Sequence, residues 1–185
     1  MNNFALLGLL YSSGSLKWGR NYKFELQTKR QELAEEYYKL LSGIGKADIK
    51  NKGIITVTLT GKREIENFLK GFRLIPPLDK EKIPVEILDT NEKRIFFLKG
   101  FFEGKSSIYP SKKLIRVSGK SLQLEKIKNL LEKEEVRSVI YPAGKYKSLY
   151  IEGKGRCESF RKIGFLSKEK NKLLDSMFGL DILRT

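Results

Sequence analysis

The side chains available for chemistry are few in kind. The 185 residues contain no histidine and one cysteine, Cys157. This excludes internal disulfides, serine–histidine and cysteine–histidine nucleophile pairs, imidazole-bound zinc and sites built from several thiolates. Carboxylates are the side chains left to hold a metal ion, and they suit Mg²⁺ or Ca²⁺.

Cationic side chains are in excess. The chain has 37 lysines and arginines against 22 acidic residues, a formal net charge of +15. This excess predicts a polyanionic partner, nucleic acid above all. A thermophile surface rich in lysine and glutamate would explain the 32% of charged residues but not the imbalance. Residues 1–90 carry 15 basic and 11 acidic residues and residues 91–185 carry 22 and 11, so we expect the more basic face in the second half.

The hydropathy pattern argues against a membrane protein. No apolar run approaches the roughly 20 residues that span a bilayer. Residues 4–11 lack the positive flank and the cleavage site of a signal peptide. Together with the polyanionic partner, this predicts a cytoplasmic protein, associated with the nucleoid if the source is prokaryotic.

The chain has two similar halves. Residues 6–15, LLGLLYSSGS, align with residues 98–107, LKGFFEGKSS, at an offset of 92. Further pairs keep an offset of 90 to 93: Gly61 with Gly153, Phe68 with Phe160, Gly71 with Gly164, and Leu40 with Leu130. Their order and nearly constant spacing predict a duplication, with one repeat over residues 1–88 and a second over residues 89–185.

Both halves show the same order of predicted elements. Apolar periodicity predicts helices over residues 4–12, 29–41 and 62–70, then over residues 92–103, 122–133, 155–163 and 167–178. Alternating and β-branched runs predict strands over residues 16–26 and 54–60, then over residues 108–117, 136–141 and 148–152. Residues 73–89, with three prolines, indicate an extended linker. Each half is therefore predicted as αββαββα, in the α+β class.

Small residues mark the first helix of each half. Gly8 and Ser12 lie four positions apart on one helical face, and so do Gly100 and Gly104. Small residues at this spacing let two helices approach until their backbones nearly touch. We expect these two helices to pack against each other at a pseudo-twofold axis.

These features resemble the LAGLIDADG homing endonuclease family in its monomeric, two-repeat form. The resemblance rests on residues 6–14 and 98–106, with the strands and helices that follow each, and covers nearly the whole chain. It implies two pseudo-symmetric αββαββα repeats whose antiparallel sheets form a saddle along the major groove of DNA. It also implies that the motif helices pack at the centre and, in active members, deliver one acidic residue each for cleavage.

The acidic residue of the family belongs at the eighth motif position, which here is Ser13 and Lys105. A serine hydroxyl is a poor ligand for Mg²⁺, and an ammonium group repels a metal ion. Glu103 lies about 200° away around the helix, and we interpret it as a solvated or capping carboxylate. The sequence therefore predicts a degenerate site without a catalytic residue, metal or cofactor, and a protein that is not an enzyme.

Alternation along the strands predicts which side chains face DNA. Arginine, glutamine and threonine read base edges, whereas most lysines contact phosphates, and we expect Lys105 to do so in place of a metal. The candidate DNA-binding residues are Lys17, Arg20, Lys23, Gln27, Thr56, Thr58, Lys105, Lys112, Lys113, Arg116, Lys145 and Lys147. Tyr109, Tyr146 and Tyr150 either stack on unpaired bases or pack in the core or at sheet edges.

The leading interpretation is a catalytically inactive LAGLIDADG-like protein that binds double-stranded DNA at specific sites, as a transcriptional regulator would. Three alternatives stay open. One is an RNA-binding intron maturase, and another is a residual homing endonuclease using displaced acids such as Glu25 or Glu103. The third is a structural protein with a thermophile surface. We expect a monomer, because both repeats lie in one chain.

Overall fold

The computed structural model describes residues 2–144 and 146–179. The first half contains α1 (Asn2–Ser12), β1 (Ser15–Lys17), β2 (Lys23–Thr28), α2 (Gln31–Ser42), β3 (Ala47–Asn51), β4 (Ile55–Thr60) and α3 (Lys62–Gly71). The second half contains α4 (Asn91–Lys105), β5 (Ser106–Tyr109), β6 (Leu114–Gly119), α5 (Ser121–Lys133), β7 (Val139–Ala143), β8 (Tyr146–Glu152), α6 (Lys154–Phe160) and α7 (Lys168–Ser176).

Each half builds one antiparallel sheet of four strands. The strand orders are β1-β2-β4-β3 and β5-β6-β8-β7, which are equivalent. Strands β2 and β4 pair from Lys23 opposite Thr60 to Thr28 opposite Ile55. Strands β6 and β8, which are central in the second sheet, pair in the same antiparallel way. The predicted α+β class with two αββαββα repeats is therefore confirmed.

Helices α1 and α4 form the centre of the molecule. The α1 side chains of Leu6, Leu7 and Leu9 are fully buried although they point in different directions around the helix. A helix that is apolar all round is stable only inside a core, and α1 packs lengthwise on α4. Helices α2 and α3 cover one face of the first sheet, and α5 and α6 cover one face of the second.

Two segments that were each predicted as one strand each form a pair of strands joined by a hairpin turn. The run over residues 16–26 divides into β1 and β2 around Gly19, whose φ of +111° suits a residue without a side chain. The run over residues 108–117 divides into β5 and β6 around a short 3₁₀ turn at Pro110–Lys112. Strand β3 was not predicted, because it is short and its five residues include only two apolar ones, Ala47 and Ile49.

The segment between α3 and α4 is more than an extended spacer. It contains a 3₁₀ turn at Val85–Ile87 and buries Ile83 and Leu88 in the common core. Its burial fixes the path of the preceding residues across the molecule, which matters for Lys80. Within the described ranges, no helix has the length and apolar character needed to cross a bilayer.

Candidate nucleic-acid interface

Glycines determine how closely the backbones of α1 and α4 approach each other where the helices cross. A Cβ atom added to Gly8 would overlap the carbonyl oxygen of Phe97, and one added to Gly100 would overlap the carbonyl oxygen of Ala5. The contact is therefore reciprocal, with each glycine lying against the backbone of the other helix. Only glycine permits this separation without a shift of the helices.

The same crossing brings together the C-terminal ends of the two helices. A Cβ atom at Gly104 would overlap the hydroxyl groups of Ser12 and Ser13. Ser12 is buried and donates a hydrogen bond to the carbonyl oxygen of Leu9, whereas Ser13 is exposed just beyond α1. Lys105 is the last residue of α4. The two motif positions therefore lie in one region between the repeats.

Lys105 is held by Gln123 of α5. Its ammonium nitrogen donates to the Oε1 atom of Gln123 at 2.8 Å. The amide nitrogen of Gln123 in turn donates to the carbonyl oxygens of Tyr11 at 3.0 Å and Lys80 at 2.8 Å. Because Gln123 is only 2% exposed, these bonds fix the orientation of its amide and so the position of the Lys105 ammonium group.

A second ammonium group, that of Lys80, lies beside the first. Its nitrogen donates to the carbonyl oxygen of Gly14 at 2.8 Å. Burial lowers the pKa of Lys105, and the positive charge of Lys80 lowers it further; burial also lowers the pKa of Lys80. In the part of the chain that the structure describes, no carboxylate pairs with either lysine. We call these two residues the central lysine pair.

The metal ion that the resemblance implies does not fit this donor set. Ser13 offers a hydroxyl, and Gln123 offers an amide oxygen that already accepts from Lys105. The other polar side chains here are the two ammonium groups of the central lysine pair. Divalent magnesium and calcium ions are held by carboxylate and carbonyl oxygens. Across residues 2–144 and 146–179, no three His, Cys, Asp or Glu side chains are grouped to hold an ion.

Glu103 is not solvated, so that part of the interpretation is wrong, and its carboxylate binds the backbone of Ser167, the N-cap residue of α7. It is 3% exposed, and its carboxylate accepts hydrogen bonds from Arg30 Nη2 at 3.0 Å and from the backbone nitrogen of Ser167 at 3.0 Å. The Ser167 hydroxyl donates to the same carboxylate at 3.1 Å, and the Lys170 ammonium lies 3.9 Å away. The carboxylate thus joins α4 to residues at the start of α2 and α7.

The outer face of the first sheet is the one turned away from its helices. Phe24 and Leu26 of β2 are buried, so the alternate residues of β2 and their cross-strand partners point outward. The outward residues are Ser15, Lys17, Lys23, Glu25, Gln27, Thr56, Thr58, Thr60, Asp48 and Lys50. Lys17 pairs with Glu25 at 3.1 Å. This face combines phosphate-binding ammonium groups with hydroxyl and amide groups that can meet base edges.

The outer face of the second sheet is chemically different. Ile115 and Ile151 are buried, and the alternate positions point outward. The outward residues are Ser107, Tyr109, Leu114, Arg116, Ser118, Ser148, Tyr150, Glu152, Val139, Tyr141, Tyr146 and Ala143. The expected concentration of basic residues in the second half is therefore absent from these strand positions, where Arg116 is the cation and tyrosines are frequent.

The remaining candidates lie in turns or at strand ends. Arg20 is exposed in the β1–β2 hairpin, and Lys112 and Lys113 form the β5–β6 turn. Lys147 pairs with Gly119 and Pro142 on the same side of the sheet as the buried Leu149, so the structure does not place it with Arg116. The predicted candidate Lys145 lies outside the described residues.

Lys80, Lys50 and Gln123 were missed from the sequence. Lys80 lies in the linker, where no periodicity indicates a direction. Lys50 lies on the unpredicted strand β3. Gln123 did leave a signal, because it shares a helical face with the buried residues Ile127 and Leu130. A polar side chain on an apolar stripe must satisfy its hydrogen bonds inside the protein.

No protein-family model matches the sequence, and no curated protein sequence matches it. Solved structures do. The homing endonuclease I-DmoI, as a variant in complex with its target DNA nicked in the coding strand in the presence of Mn, has a TM-score of 0.64 and 17% identity, covering 88% of this chain and 94% of that chain. A structure of mesophilic I-DmoI variants has a TM-score of 0.66 and 18% identity, covering 90% of this chain and 97% of that chain.

A second kind of protein shares the fold. Full-length DUF199/WhiA from Thermotoga maritima has a TM-score of 0.65 at 13% identity, covering 100% of this chain and 62% of that chain. The N-terminal LAGLIDADG domain of DUF199/WhiA has a TM-score of 0.59 at 13% identity, covering 100% of this chain and 82% of that chain. At these identities the likeness is one of fold.

The comparisons correct one prediction. The prediction that this chain is not an enzyme is wrong, because the similar structures include a homing endonuclease in complex with nicked target DNA. Two replaced motif residues, Ser13 and Lys105, are too little to exclude enzymes from a fold that this endonuclease shares. Element order, sheet topology and these neighbours together show that the chain has the two-repeat LAGLIDADG-like fold.

Proposed function

We propose that this chain binds double-stranded DNA in a sequence-dependent way. The first sheet would contact base edges in the major groove, and the central lysine pair would contact a backbone phosphate. The observation that carries the proposal is the outer face of the first sheet, where lysine, glutamine and threonine side chains lie in register on adjacent strands. A structure of I-DmoI in complex with DNA and Mn shares the fold, which supports DNA as the ligand.

The electrostatics of the central lysine pair support a phosphate ligand. Burial disfavours the charged form of both lysines and lowers the pKa of each, and the charge of Lys80 lowers the pKa of Lys105 further. Neither has a carboxylate partner in the described residues. A phosphate oxygen between the two ammonium groups would neutralise this repulsion and gain charge-assisted hydrogen bonds.

The test is selection of binding sites from random duplexes, followed by titration at several salt concentrations. We expect a preferred site that is not a palindrome, because the outer faces of the two sheets carry different side chains. Gln27→Ala should relax specificity at one position, whereas Lys23→Ala should weaken binding to all sequences and reduce the salt slope by about one. Recovery of no preferred duplex, or a structured RNA that outcompetes the selected DNA, would contradict the proposal.

We also propose that one copy of the chain occupies a site, because the repeats over residues 1–88 and 89–185 lie in one chain. The support is that each half contributes its own four-stranded sheet. Sedimentation of the protein with its selected duplex should give a one-to-one complex. A complex of two chains on one duplex would contradict it.

A further inference from the structure

Aromatic rings cross the outer face of the second sheet. Arg116 of β6 lies directly opposite Tyr150 of β8 in the strand register. The Arg116 guanidinium lies over the ring of Tyr109 of β5, 5.4 Å from its centre. On the other side, the rings of Tyr150 and Tyr141 of β7 meet edge to face, with centres 5.4 Å apart. These four residues, one from each strand, form what we call the tyrosine stripe.

The first sheet has no counterpart of this stripe. At its paired outward positions, the described strands carry lysine, threonine, serine, glutamine and acidic residues, and no aromatic ring. The two sheets share a strand order, so the difference lies in side chains and not in architecture. Two chemically different faces on a duplicated fold indicate two different kinds of contact with the ligand.

Rings at this position remain accessible. Tyr141 is 49% exposed, and Tyr109 and Tyr150 are partly exposed. Stacking on a nucleic-acid base would remove a ring face from water and align it with another π system. Adjacent strands lie about 4.8 Å apart, so a stripe across four strands is roughly 14 Å long. That length accommodates a few unstacked nucleotides.

The stacking geometry selects unpaired bases over a duplex. In a duplex the base faces are covered by neighbouring pairs, and the grooves present only base edges. Base faces are accessible in single strands, where they stack on aromatic and guanidinium planes. The guanidinium of Arg116 supplies such a plane within the stripe, and Lys112 and Lys113 lie in the turn that follows Tyr109. Their charges can follow the backbone of the strand.

We propose that the tyrosine stripe binds unpaired bases of a single nucleic-acid strand by stacking, as an activity separate from duplex binding by the first sheet. The shared chemistry is the exposed base face, which single-stranded DNA and RNA both offer.

The test measures fluorescence anisotropy of labelled 15-nucleotide oligo-dT and oligo-U with the full chain, beside a duplex of the same length. We expect Tyr150→Ala and Tyr141→Ala each to weaken single-strand binding by roughly 5- to 100-fold. The corresponding phenylalanine variants should bind like the parent protein, because stacking requires the ring and not the hydroxyl. The two oligonucleotides show whether DNA or RNA is preferred.

Matched controls separate this proposal from the proposed function. Gln27→Ala, on the first sheet, should change duplex recognition and leave single-strand binding unchanged. Thermal unfolding of each tyrosine variant checks that it folds. Equal losses on duplex and single strand, a loss in the phenylalanine variants as large as in the alanine variants, or no binding of either oligonucleotide would overturn the proposal. Tyrosine-dependent single-strand binding without duplex binding would overturn the proposed function instead.

Discussion

Glu103 has a side chain wholly removed from solvent, and both of its carboxylate oxygens accept hydrogen bonds. Arg30 shares its guanidinium between this buried carboxylate and the exposed Glu169, which it contacts at 2.9 Å. The same cation therefore forms one buried and one exposed ion pair. These two pairs therefore allow a comparison of how much a buried and an exposed ion pair contribute to the free energy of unfolding.

We expect Glu103→Gln to lower the free energy of unfolding by about 3 kcal/mol, because it leaves Arg30 and Lys170 without their buried partner. Glu169→Gln removes the exposed partner of the same arginine and should cost less than about 1 kcal/mol. Urea unfolding of both variants measures the difference. Equal losses would show that the buried carboxylate has no special structural role.

The proposed contact of the central lysine pair with phosphate can be tested by the salt dependence of DNA binding. If each ammonium group neutralises one phosphate, then Lys80→Ala and Lys105→Ala should each reduce the slope of log affinity against log salt by about one. Lys133→Ala, exposed at the end of α5, is the control and should leave the slope nearly unchanged. If both variants have the same slope as the parent protein, the central lysine pair does not contact DNA phosphates.

At the scale of elements, the contact between α1 and α4 is the most demanding in its geometry. Gly100→Ala places a methyl group where the Ala5 carbonyl lies, so the helices must separate. We expect a loss of about 1–3 kcal/mol in the free energy of unfolding, as for other overpacked cores. Gly155→Ala in α6, which meets nothing within 4 Å, should be neutral or stabilising by up to about 1 kcal/mol. Thermal melts of the two variants shifting in the same direction would contradict this.

Local pattern explains which elements could be predicted from the sequence. Helices α2 and α3 put apolar residues on one stripe, and the alternation of Phe24 and Leu26 with Gln27 gives the outward direction of that glutamine. The β1–β2 hairpin does leave a local signal, because residues 19–21, which begin with Gly19, interrupt the apolar alternation. Strand β3 is defined by pairing with β4 and not by its own sequence.

The candidate site was harder to predict because its contacts are long-range. Gln123 reaches Tyr11, 112 positions away, and Lys80 reaches Gly14, 66 positions away. No local pattern reports such pairings. The DNA-binding roles of Gln27, Thr56 and the other outward residues stay predictions, because the alternation gives only the direction of a side chain.

At the scale of the whole molecule, Cys157 reports on opening of the core. Burial raises the pKa of its thiol to about 11 from an ordinary value near 9. Between these values the unfolded chain loses the thiol proton and the folded chain keeps it, so stability contributed by Cys157 falls as pH rises from 9 to 11. The stability difference between parent and Cys157→Ala should shrink over this window in urea titrations. A constant difference would contradict it.

The reciprocal glycine contact between α1 and α4 has a consequence for a bisected chain. A break in the polypeptide between α3 and α4 would give two fragments, each with a four-stranded sheet. Each fragment would also contain one largely apolar helix, α1 or α4, without its packing partner. Neither fragment could shield that helix alone, so each would need the other to become native. The fold is therefore suited to complementation, in which two separately made pieces regain the parent architecture only on meeting.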